Sequence, residues 1–450
     1  MESSADVAVI GMGPGGEHAA LSLARAGLDV VGIEKHLVGG ECPYWGCVPS
    51  KMMIRAANLL AEGRRIPGMA GAVTVTPDWS PVARRIREEA TDNWDDRVAA
   101  ERFANAGGRL IRGEGRLAGP GRVVVGDTTL QLRRGVVLNT GTAPAVPPID
   151  GLAGLPYWTN HEAIEATEVP SSLIVLGGGA IGAELSQVFA RFGSRVTIVE
   201  ALERLLPPEE PEASALLARV FGEEEIGVRL SAKVSRVDHN GREFNVSVDG
   251  GGDLQAEKLL VATGRRAHLD RLGLDSIGLD PSAHSLPVDE HVRAAPGVWA
   301  IGDMTGVGAF THVSMYQADI AVADILGRPH PPADYRALPR VTFTDPEVGS
   351  VGLSEAAARE RGLNVRVLTA DVPKSARGWI HKAGNDGLIK LVEDRDRGIL
   401  VGATSAGPCG GEVLGLLVLA VHAEVPAATL RTMMYAYPTF HRAIEAALKD

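Results

Sequence analysis

Residues 39–51 read Gly39-Gly40-Glu41-Cys42-Pro43-Tyr44-Trp45-Gly46-Cys47-Val48-Pro49-Ser50-Lys51, and they hold two of the three cysteines of a 450-residue chain. Four residues separate the sulfurs, a glycine pair precedes them, and a proline and a lysine follow. Such a pair can be a structural disulfide, half of a metal site, or a dithiol that cycles between reduced and oxidised forms. A zinc site needs about two further cysteine or histidine ligands at matching spacing, and the remaining cysteine, Cys409, stands alone. No metal ligand set is therefore expected. A stapling role is disfavoured because no secretory segment is read at the N-terminus and a chain of this size does not depend on disulfides for its core.

A cycling dithiol needs an electron source, and the flanking sequence supplies candidates. Asp6 to Ile10 reads as a buried strand and runs into Gly11-Met12-Gly13-Pro14-Gly15-Gly16, then a helical stretch from His18 to Ala26. Gly11, Gly13 and Gly16 are spaced for a tight turn, a close approach of backbone to a pyrophosphate, and an anion seated on a helix N-terminus. A second strand, Val30 to Ile33, ends at Glu34, where a carboxylate can accept hydrogen bonds from ribose hydroxyls. The unit recurs. Leu173 to Leu176 leads into Gly177-Gly178-Gly179-Ala180-Ile181-Gly182, a helix through Glu184 to Phe192, and a strand from Arg195 to Val199 that ends in Glu200. Gly177, Gly179, Gly182 and Glu200 thus repeat the first fingerprint, and one chain is expected to bind two dinucleotides.

These landmarks resemble the flavin-dependent pyridine nucleotide-disulfide oxidoreductases, the family of glutathione reductase, dihydrolipoyl dehydrogenase and mercuric reductase, and the likeness runs over essentially the whole chain. Besides the fingerprints and the cysteine segment, it is carried by Asn139-Thr140-Gly141-Thr142-Ala143-Pro144, Ala262-Thr263-Gly264-Arg265, Trp299-Ala300-Ile301-Gly302-Asp303 and Thr342-Phe343-Thr344-Asp345-Pro346-Glu347-Val348-Gly349. The resemblance implies an α/β fold with two Rossmann-like dinucleotide-binding domains and a C-terminal α+β dimerisation domain. The expected divisions are 1–150 for the first part of an FAD domain, 151–264 for the NAD(P) domain, 265–335 for the rest of the FAD domain and 336–450 for the interface domain of a homodimer.

It also implies FAD and NADH as cofactors, with NADPH as the alternative. Cys47 would lie against the flavin and Cys42 would face the acceptor, a small-molecule disulfide or another thiol-reactive group. Lys51, one helical turn beyond Cys47, pairs in the family with a glutamate matching Glu184, and its ammonium would stabilise negative charge on the reduced ring. Gly40, Gly115, Thr140, Gly141, Gly302, Asp303 and Thr311 would line the flavin, with Asp303 on the ribityl chain, and Gly264 would line the nicotinamide site. Glu200 accepts from a 2′-hydroxyl and repels a 2′-phosphate, which favours NADH, while Arg204 nearby softens that choice.

Composition agrees with a folded soluble enzyme: 45% hydrophobic and 22% charged residues, with a net charge of −11 that disfavours a nucleic-acid partner. No stretch is expected to cross or coat a membrane, and a reducing cytoplasm is the expected setting. The charged run Arg84-Arg85-Ile86-Arg87-Glu88-Glu89, within an amphipathic stretch from about Pro81 to Ala106, reads as a solvated helix face. Cys409 reads as a small buried apolar residue.

Departures from the family bear on the acceptor. Disulfide reductases of the family carry a histidine before Pro-Thr near the C-terminus and a glutamate five residues on; here Tyr437 and Arg442 hold those places. A phenol ionising near ~10 is a poor base at neutral pH. His441 offers a substitute imidazole if a helix starts at Pro438. Glu41 stands where a threonine usually precedes the first cysteine, Pro43-Tyr44-Trp45 is bulky enough either to reshape the acceptor pocket or to pack inward, and Ala180 lacks the aromatic gate of several relatives. Mercuric reductase also lacks the histidine, but it carries a C-terminal cysteine pair that is absent from Ala447-Leu448-Lys449-Asp450. Metal-ion reduction, direct flavin-to-quinone reduction, dihydrolipoyl dehydrogenase activity and a low-turnover redox sensor stand as alternatives to disulfide reduction.

Overall fold

A computed structural model describes residues 2–449. In chain order the elements that position the site are β1 (Glu2–Ile10), α1 (Pro14–Arg25), β2 (Val30–Glu34), α2 (Cys47–Arg65), β3 (Thr128–Leu138), β4 (Ser172–Leu176), α3 (Ala180–Arg191), β5 (Arg195–Val199), α4 (Pro211–Glu223), β6 (Val298–Ala300), α5 (Thr311–Ile325), β7 (Leu388–Asp394), α6 (Gly410–His422) and α7 (Arg442–Lys449). The chain folds as two compact units, one of residues 1–50, 84–145 and 265–334, the other of residues 51–83, 146–264 and 335–450. α2 begins in the first and continues in the second.

The first unit is built on a sheet in which β1 lies between β2 and β3, both parallel to it, and β6 extends the sheet beside β3. Val7 stands opposite Val30 and Ile10 opposite Ile33. The central strands are apolar on both faces because both faces are covered. On one side Val9, Val30 and Val137 pack with Ala19 and Leu23 of α1 and Ala321 of α5; on the other Ile10, Ile33 and Leu138 pack with Leu117 and Leu274. Proline at the first turn of α1 suits a helix start, since its missing N–H has no partner there in any case.

In the second unit β4 lies between β5 and the strand 258–261, all parallel, with 227–229 beyond β5. A five-stranded antiparallel sheet made of 339–342, 347–352, 399–407, β7 and 365–371 carries the C-terminal part. α6 and α7 bury Leu414, Leu417, Ile444 and Leu448 against it.

The charged run from Arg84 to Glu89 is helical and, apart from buried Ile86, exposed, as the sequence reads it, but the stretch from Pro81 to Ala106 is not one continuous helix. A helix at Ser80–Arg85 passes into a π turn at Ile86–Ala90, and a separate helix runs from Arg97 to Asn105. The Thr91 hydroxyl donates to the carbonyls of Ile86 and Arg87, and Asp92, Asn93 and Trp94 all take positive φ, which stops the helix.

Candidate active site

Each glycine fingerprint becomes a strand–turn–helix whose first and last glycines leave no room for a side chain. In the first unit a Cβ on Gly11 (φ +91°) would stand 2.3 Å from the Asn139 carbonyl oxygen, and one on Gly16 2.0 Å from the Gly11 oxygen. Gly13 caps α1 without offering its first amides a side chain. Gly40 (φ +65°) approaches so closely that its Cβ would lie 2.8 Å from the Gly13 Cα. Bare amides at a helix N-terminus, walled by glycine backbone, fit the pyrophosphate of FAD. Glu34 spans the turn: its carboxylate accepts from the Met12 and His36 amides, each at 2.8 Å. Gly115 opens the strand 115–117 against Ile10 and Ile33, and the Gly302 amide donates to Gln317 Oε1 at 2.7 Å. Gly141 takes φ +63°, and the Thr140 hydroxyl sits 3.6 Å from the Met304 sulfur.

The cysteine segment belongs to the same unit. From Gly40 the chain makes a short helical turn, Glu41–Tyr44, and re-enters helix at Cys47, the first residue of α2. Cys42 is half-buried, Cys47 is exposed, and no disulfide joins them. The hydrogen bond from Cys42 to Cys47, helped by burial, pushes the Cys42 thiol far above its ordinary pKa, with the Thr311 hydroxyl pulling the other way. Cys47 sits where the helix N-terminus favours a thiolate, and its sulfur lies 3.4 Å from Thr311 Oγ1.

Behind Cys42 a polar chain ties the segment to the end of β6. Arg265 reaches Glu41 at 3.5 Å and donates to Thr142 through Nε (2.8 Å, to Oγ1) and Nη2 (2.6 Å, to the carbonyl). Thr142 Oγ1 in turn donates to Asp303 Oδ2 at 2.9 Å. Burial pushes the Asp303 carboxyl upward against the pull of Thr142 and Arg265. Tyr44 turns inward, with its hydroxyl donating to the Val38 carbonyl, and burial beside Asp96 raises it to about 12. Of the two roles open to the aromatics, Tyr44 takes inward packing.

The second unit repeats the nucleotide geometry. A Cβ on Gly177 would meet the Ala262 oxygen at 2.4 Å and one on Gly182 the Gly177 oxygen at 2.0 Å, while Gly179 caps α3 without a side chain. Glu200 accepts from the Gly178 amide at 2.6 Å and the Leu202 amide at 2.8 Å. Ala180 is exposed at the head of the helix, and Gly264 takes φ +119° just past the strand 258–261. Arg204 spends one nitrogen on the Pro207 carbonyl.

In the same unit Lys51 Nζ meets Glu184 Oε2 at 2.8 Å, the Phe343 amide donates to Glu184 Oε1 at 2.8 Å, and the ammonium stands 4.7 Å from the centre of the Phe343 ring. Glu184 is only 6% exposed, so its charge is held by paired donors. α2 and α3 are fastened further along by Arg191, which binds Asn58, Glu224 and Asp345, and by the Arg65–Asp345 pair.

The C-terminal expectations need revision. α7 starts at Arg442 rather than Pro438, so His441 lies in a turn, not on a helix. That turn is closed by Thr439, whose hydroxyl donates to the Ala436 carbonyl and whose carbonyl accepts from the Arg442 amide. Tyr437 is 70% exposed with the Arg442 guanidinium 5.2 Å from its ring centre. Cys409 is exposed, not buried, because it caps α6 ahead of Gly410. Three contributors were missed by the sequence reading: Thr142, Arg265 and Phe343. All three lay inside quoted motifs, and their polar or aromatic character at strand ends was the available signal.

Residues 5–322 match the pyridine nucleotide-disulphide oxidoreductase family and residues 338–448 its dimerisation domain. This chain belongs to that family. It is 35% identical to a dihydrolipoyl dehydrogenase of Chlorobaculum tepidum, over 99% of this chain and 96% of that one. It is 34% identical to a mercuric reductase of Acidithiobacillus ferrooxidans, over 98% and 81%. Among solved structures, the Cu(II) complex of the HOCl-induced flavoprotein disulfide reductase RclA from Escherichia coli superposes with a TM-score of 0.87 at 25% identity, covering 99% of both chains. As a family member the chain is an oxidoreductase that uses FAD and NAD(P)H. Among the described residues no helix is long and apolar enough to cross a membrane.

Proposed function

We propose that this flavoenzyme draws electrons from NADH and passes them through Cys42 and Cys47 to a disulfide or another thiol-reactive acceptor. The observation that carries the reading is the hydrogen-bonded thiol pair, with Cys47 opening α2 beside Thr311. Bound FAD supplies the two-electron exchange between a nicotinamide hydride and a dithiol. The chain's own residues hold the nucleotides, poise Lys51 through Glu184 and Phe343, and carry the acceptor chemistry. Cys42 passes its proton to the hydrogen-bonded Cys47 sulfur and attacks an acceptor sulfur as the thiolate, forming a mixed disulfide, and that proton goes on to the acceptor thiolate that leaves. Cys47 then attacks the Cys42 sulfur, releases the second thiolate and restores the internal disulfide. One acceptor disulfide is reduced and one dithiol oxidised in each round.

Glu200, with both oxygens fixed by amides at the end of β5, supports NADH over NADPH. The dimerisation-domain match supports a homodimer, and Trp379, Met434 and Tyr437, all strongly exposed on one chain, are fitting surface for a second copy.

A second reading, reduction of a thiol-bound metal ion, is favoured by the C-terminal segment. A disulfide sends out a thiolate that must be protonated, whereas a metal ion held by sulfur does not. Tyr437 and Arg442 stand where the usual acid–base pair would be. Steady-state NADH oxidation with low-molecular-weight disulfides, Cu(II) and a quinone, for wild type and Cys42→Ser, separates the readings. Loss of the disulfide rate alone or with the metal-ion rate supports acceptor chemistry at Cys42. Undiminished rates with every acceptor remove it.

A further inference from the structure

At the far end of α5 from Thr311, about 20 Å along a helix rising 1.5 Å per residue, a second cluster has no part in the chemistry above. One ring nitrogen each of His291 and His330 and one carboxylate oxygen of Asp324 lie within 4.8 Å of one another. We propose that these three side chains form a binding site for a borderline divalent metal ion of the zinc type.

Three observations carry the assignment. His330 Nδ1 faces the Pro331 carbonyl at 3.0 Å, and because a carbonyl only accepts, Nδ1 carries the proton. The ring's other nitrogen, Nε2, faces Asp324 Oδ1, 3.7 Å away. That gap exceeds a hydrogen bond and is close to the ~3.4 Å between two ligands bonded tetrahedrally to one zinc ion. His291 Nδ1 is buried with no hydrogen-bond partner among the described residues, a cost that a bonded cation relieves. The backbone that presents His291 is held in an unfavourable shape: Val292, fully buried and β-branched, takes φ +56°, with Asp289 Oδ1 accepting from the amides of His291 and Arg293 to fix the turn.

Asp324 is not idle. Arg293 grips it through Nε and Nη2, and Trp299 Nε1 donates to Oδ2 at 2.7 Å. Oδ1, which accepts from Arg293 Nη2, is also the oxygen that faces His330 Nε2. The guanidinium weakens the pull on a cation, and the Glu290 carboxylate, 3.7 Å from the His291 ring, works the other way. Two imidazoles with a single carboxylate select zinc-like ions over magnesium or calcium. Bound there, the ion joins the turn before β6, the end of α5 and the segment after it.

The test uses flavin-loaded protein with Cys42, Cys47 and Cys409 changed to serine, so that thiols take up no metal. Cobalt(II) is titrated and its visible absorption followed, then zinc(II) is added in competition. Saturable uptake of one equivalent, displaced by zinc and weakened about tenfold or more in His291→Asn and again in His330→Asn, is the expected result. Flavin absorption and melting temperature in metal-free buffer show that the variants are folded. No saturable uptake, or uptake undiminished in both variants, overturns the assignment.

Discussion

The two nucleotide folds of this chain are near copies in backbone and differ in the segment that leaves the second strand. In each, the glycine at the strand end takes a left-handed φ beneath a carbonyl from a neighbouring strand, the last glycine of the motif would place a Cβ 2.0 Å from the first glycine's oxygen, and a glutamate joins two amides across the turn. After β2 the chain enters the Glu41–Tyr44 turn and presents Cys42 and Cys47; after β5 it runs through 201–210 into α4 without a thiol. Holding a dinucleotide is thus a property of backbone shape that can be duplicated, whereas in the function proposed above electron transfer to an acceptor is grafted onto one copy by a dozen residues.

The sharpest way to break the comparison is to close each glycine cradle in turn. Gly16→Val is expected to yield protein that retains no flavin. Gly182→Val is expected to stay flavin-loaded but lose about 100-fold or more in its rate of reduction by NADH, since misplacing the pyrophosphate costs roughly 3 kcal/mol. Rapid-mixing kinetics on both variants decides it; if Gly182→Val is reduced at the wild-type rate, the second fold is not the NADH site. A smaller effect separates the carboxylates. Glu200→Ala is expected to move the NADPH-to-NADH ratio of kcat/KM upward by about tenfold, the worth of a hydrogen bond to a charged group, while Glu34→Ala leaves that ratio unchanged. An unmoved ratio in Glu200→Ala would show that selectivity lies elsewhere.

The smallest expected change is at the graft itself. Thr311→Val removes the hydroxyl beside Cys47 and, by withdrawing a donor from the thiolate, raises the pH at which the reduced pair ionises by up to about one unit. Thiolate absorbance against pH measures it, and a fall or no change would mean that Thr311 does not serve the sulfur.

The repeated skeleton was legible in the sequence because glycine spacing and a strand-end carboxylate are backbone requirements that admit few substitutes. A helix near Cys47, with Lys51 one turn on, was implied by the resemblance, whereas Cys47 as its first residue is a finding of the structure. The features that were not legible depend on partners far apart in the chain. Arg265, Thr142 and Asp303 meet only after three separate strands are assembled. The helix break at Thr91 turns on a hydroxyl competing for two carbonyls, and Cys409 is exposed by its place at a helix cap despite the apolar habit of its side chain. His441 depended on where α7 begins, which Thr439 sets by closing a turn.

The central claim, that Cys42 and Cys47 lie in the electron path, is met most directly by anaerobic titration of the flavin-loaded protein with NADH, comparing wild type with Cys42→Ser. Wild type is expected to take up two electrons with the long-wavelength absorption of a thiolate against oxidised flavin, while Cys42→Ser, unable to form the internal disulfide, shows bleaching of the flavin by the first NADH added. Bleached flavin in wild type from the first addition, with the same course in the variant, would contradict the account and place the acceptor directly on the flavin.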